Sequence, residues 1–94
     1  MTKRDLVVRI SRETGLIQQD VFQVLQRTLD YIVEGLQHGD TVEFRNFGVF
    51  EVQIRRPRIG RNPNRPEQVV TIPERKVVKF KPGRVMKQQI AGGA

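Results

Sequence analysis

The chain has 94 residues, 37% of them hydrophobic, no cysteine and a formal net charge of +7 at pH 7. That length allows one domain, residues 1–94, and a chain so short hides only about 60–70% of its extended surface on folding, so its private core is thin. Without cysteine there are no disulfides and no thiolate metal sites. No stretch approaches the roughly 20 apolar residues of a membrane span. The expectation is a soluble, unexported, cytoplasmic protein with no membrane partner, no cofactor and no metal.

The charge is unevenly placed. Residues 1–50 carry six Lys/Arg against seven Asp/Glu, and residues 51–94 carry eleven against three. Crowding like charges into one half adds nothing to stability, so the asymmetry implies a polyanionic partner.

Thr2 and Asp5 have the spacing of a capping box, and Leu6, Val7 and Ile10 follow at helical intervals until Gly15. This predicts a first helix over residues 3–14. Val21, Leu25, Leu29, Ile32 and Leu36 recur every three or four residues, and His38-Gly39-Asp40 closes a second, longer helix with glycine just past its end. Phe22, Val24, Tyr31 and Val33 lie off that stripe, which makes the helix apolar around much of its circumference and in need of cover on two sides. With so thin a core, a partner subunit is the expected cover, and the chain is read as an obligate dimer.

From Thr41 the period changes to two. Val42 and Phe44 alternate with Glu43 and Arg45, Asn46-Phe47-Gly48 supplies a turn, and Phe50, Val52 and Ile54 alternate onward as a β-hairpin. Residues 55–66 then hold little from which a core can be built: Ile59 is their one apolar side chain apart from prolines. Val69, Val70 and Ile72 resume β-prone character, and residues 77–81 read as a third strand. The basic segment is thus bracketed by strands, which predicts a two-stranded ribbon projecting from a sheet. Pro82-Gly83 breaks the last strand, and Val85, Met86 and Ile90 mark a short helix over residues 83–90 that exposes Arg84 and Lys87.

Arg55, Arg58 and Arg61 recur every third residue, with Arg56 and Arg65 added and no acid between them. Guanidinium groups fork toward phosphate oxygens and enter narrow minor grooves, where negative potential is focused. Pro63 has no N–H for a ladder, so at a ribbon tip it ends pairing and presents a rigid apolar ring. Such wedges enter base steps and kink the duplex. Asn62 beside it can hydrogen-bond base edges or phosphates.

The Gly60-Arg61-Asn62-Pro63 element, the helix pair, Gly39-Asp40, the Phe47-Gly48 and Phe50 pattern and the closing Val78-Lys79-Phe80-Lys81-Pro82-Gly83 together resemble the bacterial histone-like HU and integration host factor family. The resemblance covers nearly the whole chain. It implies an α+β fold and an intertwined dimer, with a helical dimerisation part over residues 1–40. A three-stranded antiparallel sheet per subunit and an extended β-ribbon arm would occupy residues 41–81. The arm would enter the minor groove of double-stranded DNA, with Pro63 as the intercalating wedge. Arg55, Arg56, Arg58, Arg61, Asn62 and Arg65 would grip the groove, while Lys3, Arg75, Lys81, Arg84 and Lys87 would approach phosphates. Phe44, Phe47, Phe50 and Phe80, with Leu29 and Ile32, would form the dimer core.

The chain departs from the family pattern at Asn46, where glycine is common, and at Ile17, where a polar helix cap is usual. Arg65-Pro66 replaces the common Thr-Gly, with a return strand one residue longer that includes Pro73. Asparagine tolerates left-handed backbone, so the turn at Asn46 is expected to survive.

Catalysis finds little support. His38 is the only histidine and stands at a helix end, and Asp40 and Glu43 are too few for a two-metal site. No catalytic residue is assigned. The function read from the chain is nucleoid-associated bending and compaction of duplex DNA with low sequence specificity. Site preference of the integration host factor kind, an RNA partner, and pairing with a paralogue instead of itself stay open.

Overall fold

The computed structural model describes the backbone of residues 1–62 and 65–92; the side chains of residues 58, 61–68 and 70 lie outside the description. The chain forms two compact units, Met1–His38 and Gly39–Ala94.

The first unit is a helical hairpin. Helix α1, Lys3–Thr14, begins with the expected capping box. The Thr2 hydroxyl accepts the Asp5 N–H at 3.2 Å, and the Asp5 carboxylate accepts the Thr2 N–H at 2.9 Å. A cap of this kind is worth about 1 kcal/mol. Gly15 ends the helix at φ 77°, its N–H bonded to the Ser11 carbonyl at 2.9 Å. Helix α2, Gln18–Gln37, starts after Ile17 without a side-chain cap and ends at His38, with Gly39 at φ 81°. Ser11 steadies the connection by donating its hydroxyl to the Leu16 carbonyl at 2.6 Å. Val7 of α1 and Val21 of α2, each 5% exposed, are the buried hydrophobic residues among those described. Phe22, Val24, Leu29, Tyr31 and Val33 all remain exposed, so both flanks of α2 are uncovered within one subunit.

In the second unit, β1 (Val42–Phe44), β2 (Gly48–Arg55) and β5 (Arg75–Pro82) form an antiparallel sheet in the order β1-β2-β5. Asn46 takes φ 66° in the β1–β2 turn, which Phe47 closes by donating its N–H to the Phe44 carbonyl at 3.0 Å. Asparagine adopts this left-handed conformation at small cost, which is why the turn persists without glycine. Strands β3 (Arg58–Asn62) and β4 (Arg65–Ile72) pair as a separate two-stranded ribbon. Helix α3, Arg84–Ala91, follows Gly83, whose N–H reaches the Phe47 carbonyl at 2.8 Å and ties the helix start to the hairpin turn.

Two strands are longer than their sequence pattern predicts. β5 starts at Arg75 instead of residue 77, and β4 starts at Arg65 instead of Val69. Propensity underestimates both, because a ladder runs as far as its partner offers hydrogen bonds, whatever the side chains. The longer return is absorbed by a step in β4. Arg61 pairs with Val69 but Asn62 pairs with Arg65, so Pro66, Glu67 and Gln68 fall within an irregularity. A bulge is where a strand tolerates proline.

Candidate nucleic-acid interface

The ribbon continues the sheet in one register. Arg55↔Arg75 is the last pair of β2 with β5, and Arg58↔Ile72 is the first of β3 with β4. The offset is the same on both sides, which brings Arg56 level with Glu74 and Pro57 level with Pro73. Neither proline has an N–H to donate, so the ladder lapses at this joint without losing register. Sequence alone assigns no role to Pro57 or Pro73. Their signal is there, as one proline on each side of the Arg-rich tip, but only the pairing makes them neighbours.

Arg55, Arg56 and Arg75 are exposed and, with Ile72 and Pro73, line an open recess of about 250 Å³ at the joint. Among the described residues the ion pairs are Arg9–Glu13 and Lys81–Glu51, so these three guanidinium groups have no carboxylate partner there. The backbone carries Arg58, Arg61 and Asn62 on β3 and Arg65 on β4, while their side chains lie outside the described residues. Pro63 lies outside the described residues altogether.

The remaining candidate cations differ in how far they are engaged. Lys81 contacts Glu51 at 2.8 Å, and this hydrogen bond, reinforced by one from Gln53 at 3.0 Å, holds the Glu51 carboxyl below its ordinary range. Lys3, in the helical unit, places its ammonium 5.2 Å from the centre of the Phe22 ring and donates to the Gln26 side-chain carbonyl. Arg84 and Lys87 are exposed on α3.

The aromatic candidates are brought together in the second unit. Phe50 and Phe80 lie 4.8 Å apart between ring centres, Phe47 and Phe80 5.6 Å, and Phe44 and Phe47 6.3 Å with edges to faces. The cluster is nevertheless open, with Phe47 49% exposed and Phe44 and Phe80 also exposed. In the helical unit Leu29 is exposed and Ile32 half-buried. Aromatic rings packed edge-on and tilted against one another but left in water are the signature of an interface awaiting its partner.

A capped helical hairpin, a three-stranded sheet and a basic ribbon in register with that sheet define an α+β protein of the ribbon-arm class. The chain belongs to the bacterial DNA-binding protein family, whose model matches residues 1–91. It is 42% identical over 90 residues to the probable DNA-binding protein HU of Chlamydia trachomatis, spanning 96% of this chain and 90% of that protein. It is 41% identical over 90 residues to integration host factor subunit alpha of Caulobacter vibrioides, spanning 96% and 89%. Among solved structures, the Anabaena HU–DNA cocrystal structure matches with a TM-score of 0.86 at 32% identity, covering 97% of this chain and 98% of that one. HU from Thermotoga maritima matches with a TM-score of 0.68 at 29% identity, covering 96% and 98%.

Among the described residues no helix is long and apolar enough to cross a membrane.

Proposed function

We propose that this protein is an architectural, nucleoid-associated DNA-binding protein of the cytoplasm, without enzymatic activity, that bends and compacts duplex DNA as a dimer. The observation that carries the reading is the ribbon itself: β3 and β4 extend the sheet in register and bear Arg58, Arg61 and Arg65, with Arg55 and Arg56 at their base, where a core-forming segment would have apolar side chains. A ribbon of this kind follows a groove, and its arginines suit the focused potential of the minor groove. Relatives named for DNA binding and a DNA cocrystal structure of Anabaena HU support the same partner.

The dimer rests on burial. Two valines cannot anchor a stable domain, and the exposed phenylalanines of the second unit together with the uncovered flanks of α2 supply the surface that a second subunit would bury. Bending a site of 20–30 base pairs by 40–90° costs on the order of 1–6 kcal/mol, with about a few more for each unstacked step. Phosphate contacts offset this by releasing counterions, and a dimer doubles them.

Energy transfer between dyes on the two ends of a short duplex tests the reading. Added protein should bring the ends together, with an affinity that falls steeply with salt and varies little with sequence. A protein that leaves the ends apart, or an affinity indifferent to salt, overturns it. The near-equal identity to an HU and to an integration host factor subunit makes site preference the one finer alternative worth a parallel arm. Selection from random duplexes decides it, since a preferred site would emerge only if deformability is read.

A further inference from the structure

The two helices of the first unit carry opposite charge on their exposed sides. Helix α1 has Lys3, Arg4, Arg9 and Arg12 against Asp5 and Glu13, four against two, a net +2. Helix α2 has Arg27 against Asp20, Asp30 and Glu34, one against three, a net −2. Nothing inside the unit uses this match. Among the described residues its ion pair is Arg9–Glu13 at 3.0 Å, within α1, and no carboxylate of α2 pairs with a cation of α1. On α1, Asp5 is taken up by the capping box and Glu13 by Arg9, which leaves Arg4 and Arg12 without a carboxylate. Both border an open recess of about 460 Å³ that half-buried Val8 also lines. On α2, Asp20, Arg27 and Glu34 follow at seven-residue intervals and so share one face, with Asp30 beside them. All four are exposed.

We propose that α1 of one dimer docks on α2 of the next, joining copies of this protein head to tail through Arg4 and Arg12 on one side and Asp20, Asp30 and Glu34 on the other. A duplex would be drawn to α1 and repelled by α2, so DNA accounts for one face only, whereas a second copy accounts for both. The dimer leaves these faces free, because the surface it covers is apolar and withdrawing unpaired charges from water there would be costly. A contact between two unlike patches does not close on itself, so it extends from dimer to dimer. Exposed ion pairs are individually weak, and the contact therefore forms where copies are crowded, as they are when one duplex gathers several. The inference rests on the DNA-binding reading for that crowding and adds to bending a way of holding bent segments together.

The test uses two full-length variants. One reverses α1, Arg4→Glu with Arg12→Glu; the other reverses α2, Asp20→Lys with Glu34→Lys. Sedimentation velocity is run on complexes with a duplex that holds a single dimer, so that growth beyond one complex needs a contact between complexes. Wild-type complexes should grow with concentration at low salt. The α1 variant should associate about tenfold more weakly, since attraction is replaced by repulsion at two positions. The α2 variant should weaken likewise. An equimolar mixture of the two variants should associate again, because the acidic α1 of one now meets the basic α2 of the other. Repeating the series with concentrated protein and no duplex should give the same order, and the thermal midpoint of each variant checks that it is folded.

Wild-type complexes that stay single at every concentration overturn the inference. So does a mixture that fails to associate. An α2 variant that associates as well as the wild type or better would mean that α1 grips the neighbour's DNA instead of its protein, and overturns the inference as well. Wild-type protein that leaves the duplex unbound overturns the proposed function, and the series without duplex then decides the contact by itself.

Discussion

Gly48 faces the ring of Phe80 so closely that a Cβ there would fall 2.5 Å from Phe80 Cε1 and Cζ and 2.7 Å from the Lys81 carbonyl oxygen. The carbonyl belongs to the backbone of β5, and the Phe80 ring is itself set against Phe47 and Phe50, so neither neighbour can simply swing aside. Gly48→Ala is therefore expected to lower stability by about 1–3 kcal/mol through overpacking. Urea denaturation should show a lower midpoint with an unchanged slope. A midpoint equal to that of the wild type would mean that β2 and β5 can part at this point without cost.

Much of this arrangement was legible in the sequence, and the boundary of what was legible has a physical cause. The capping box at Thr2 and Asp5, the stop at Gly15 and the left-handed turn at Asn46 are local events, decided within four residues. The hydrophobic period likewise announced both long helices and the central strand. What pattern could not supply was partnership. The early start of β5 at Arg75, the step opposite Asn62 and the meeting of Pro57 with Pro73 depend on which strand lies alongside. For the site, the residue types at the joint were anticipated but not their assembly around one recess, nor the engagement of Lys81 by Glu51.

Phe47 tests the dimer. It touches two other rings in its cluster yet is 49% exposed within one subunit, so its truncation should cost more between subunits than within one. Phe47→Ala is expected to destabilise the assembly by about 3–5 kcal/mol if the ring is fully covered there. Sedimentation should shift toward monomer, and the thermal midpoint should become strongly dependent on protein concentration. A wild type that sediments as a monomer would place the aromatic cluster in water and overturn the dimer.

Glu51 gives a dependence on pH with a definite sign. Its carboxyl is held below the ordinary range first by the hydrogen bond from Lys81, then by that from Gln53. A depressed carboxylate pKa means that the contribution is present above the unfolded value and is lost as pH falls through the folded one. Glu51→Gln should therefore have a lower thermal midpoint than the wild type near pH 7, and the gap should close as both are acidified through the lowered pKa of Glu51. The same variant frees the Lys81 ammonium. If Lys81 meets phosphate, Glu51→Gln should also bind duplex more tightly and with a steeper salt slope. A gap that persists in acid would assign the loss to packing instead of charge.

Arg58 and Arg61 lie on β3, on the stretch of ribbon that would track the groove. Arg58→Ala and Arg61→Ala should each weaken duplex binding and flatten the salt slope by about 0.9 per neutralised phosphate, or about 1.8 in a symmetric dimer. Folding should be nearly untouched, since this stretch of the sequence has almost no apolar side chain to give to a core. A weaker affinity with an unchanged salt slope would move these arginines from phosphate to base or sugar contacts.

Pro63 should separate gripping from bending. Its residue type, a rigid ring without an N–H, supplies an apolar wedge but no electrostatic attraction, so truncating it should leave counterion release intact. Pro63→Ala is expected to bind nicked or prebent duplex nearly as well as the wild type, because in those substrates the unstacking has already been done. On straight duplex it should bend less and bind more weakly, since the wedge no longer stabilises the opened step. Energy transfer between duplex ends reads the bend, and titration of the nicked duplex reads the grip. Equal bending of straight duplex by variant and wild type would deny Pro63 the wedge and leave the ribbon arginines to kink the DNA by neutralising one face of it.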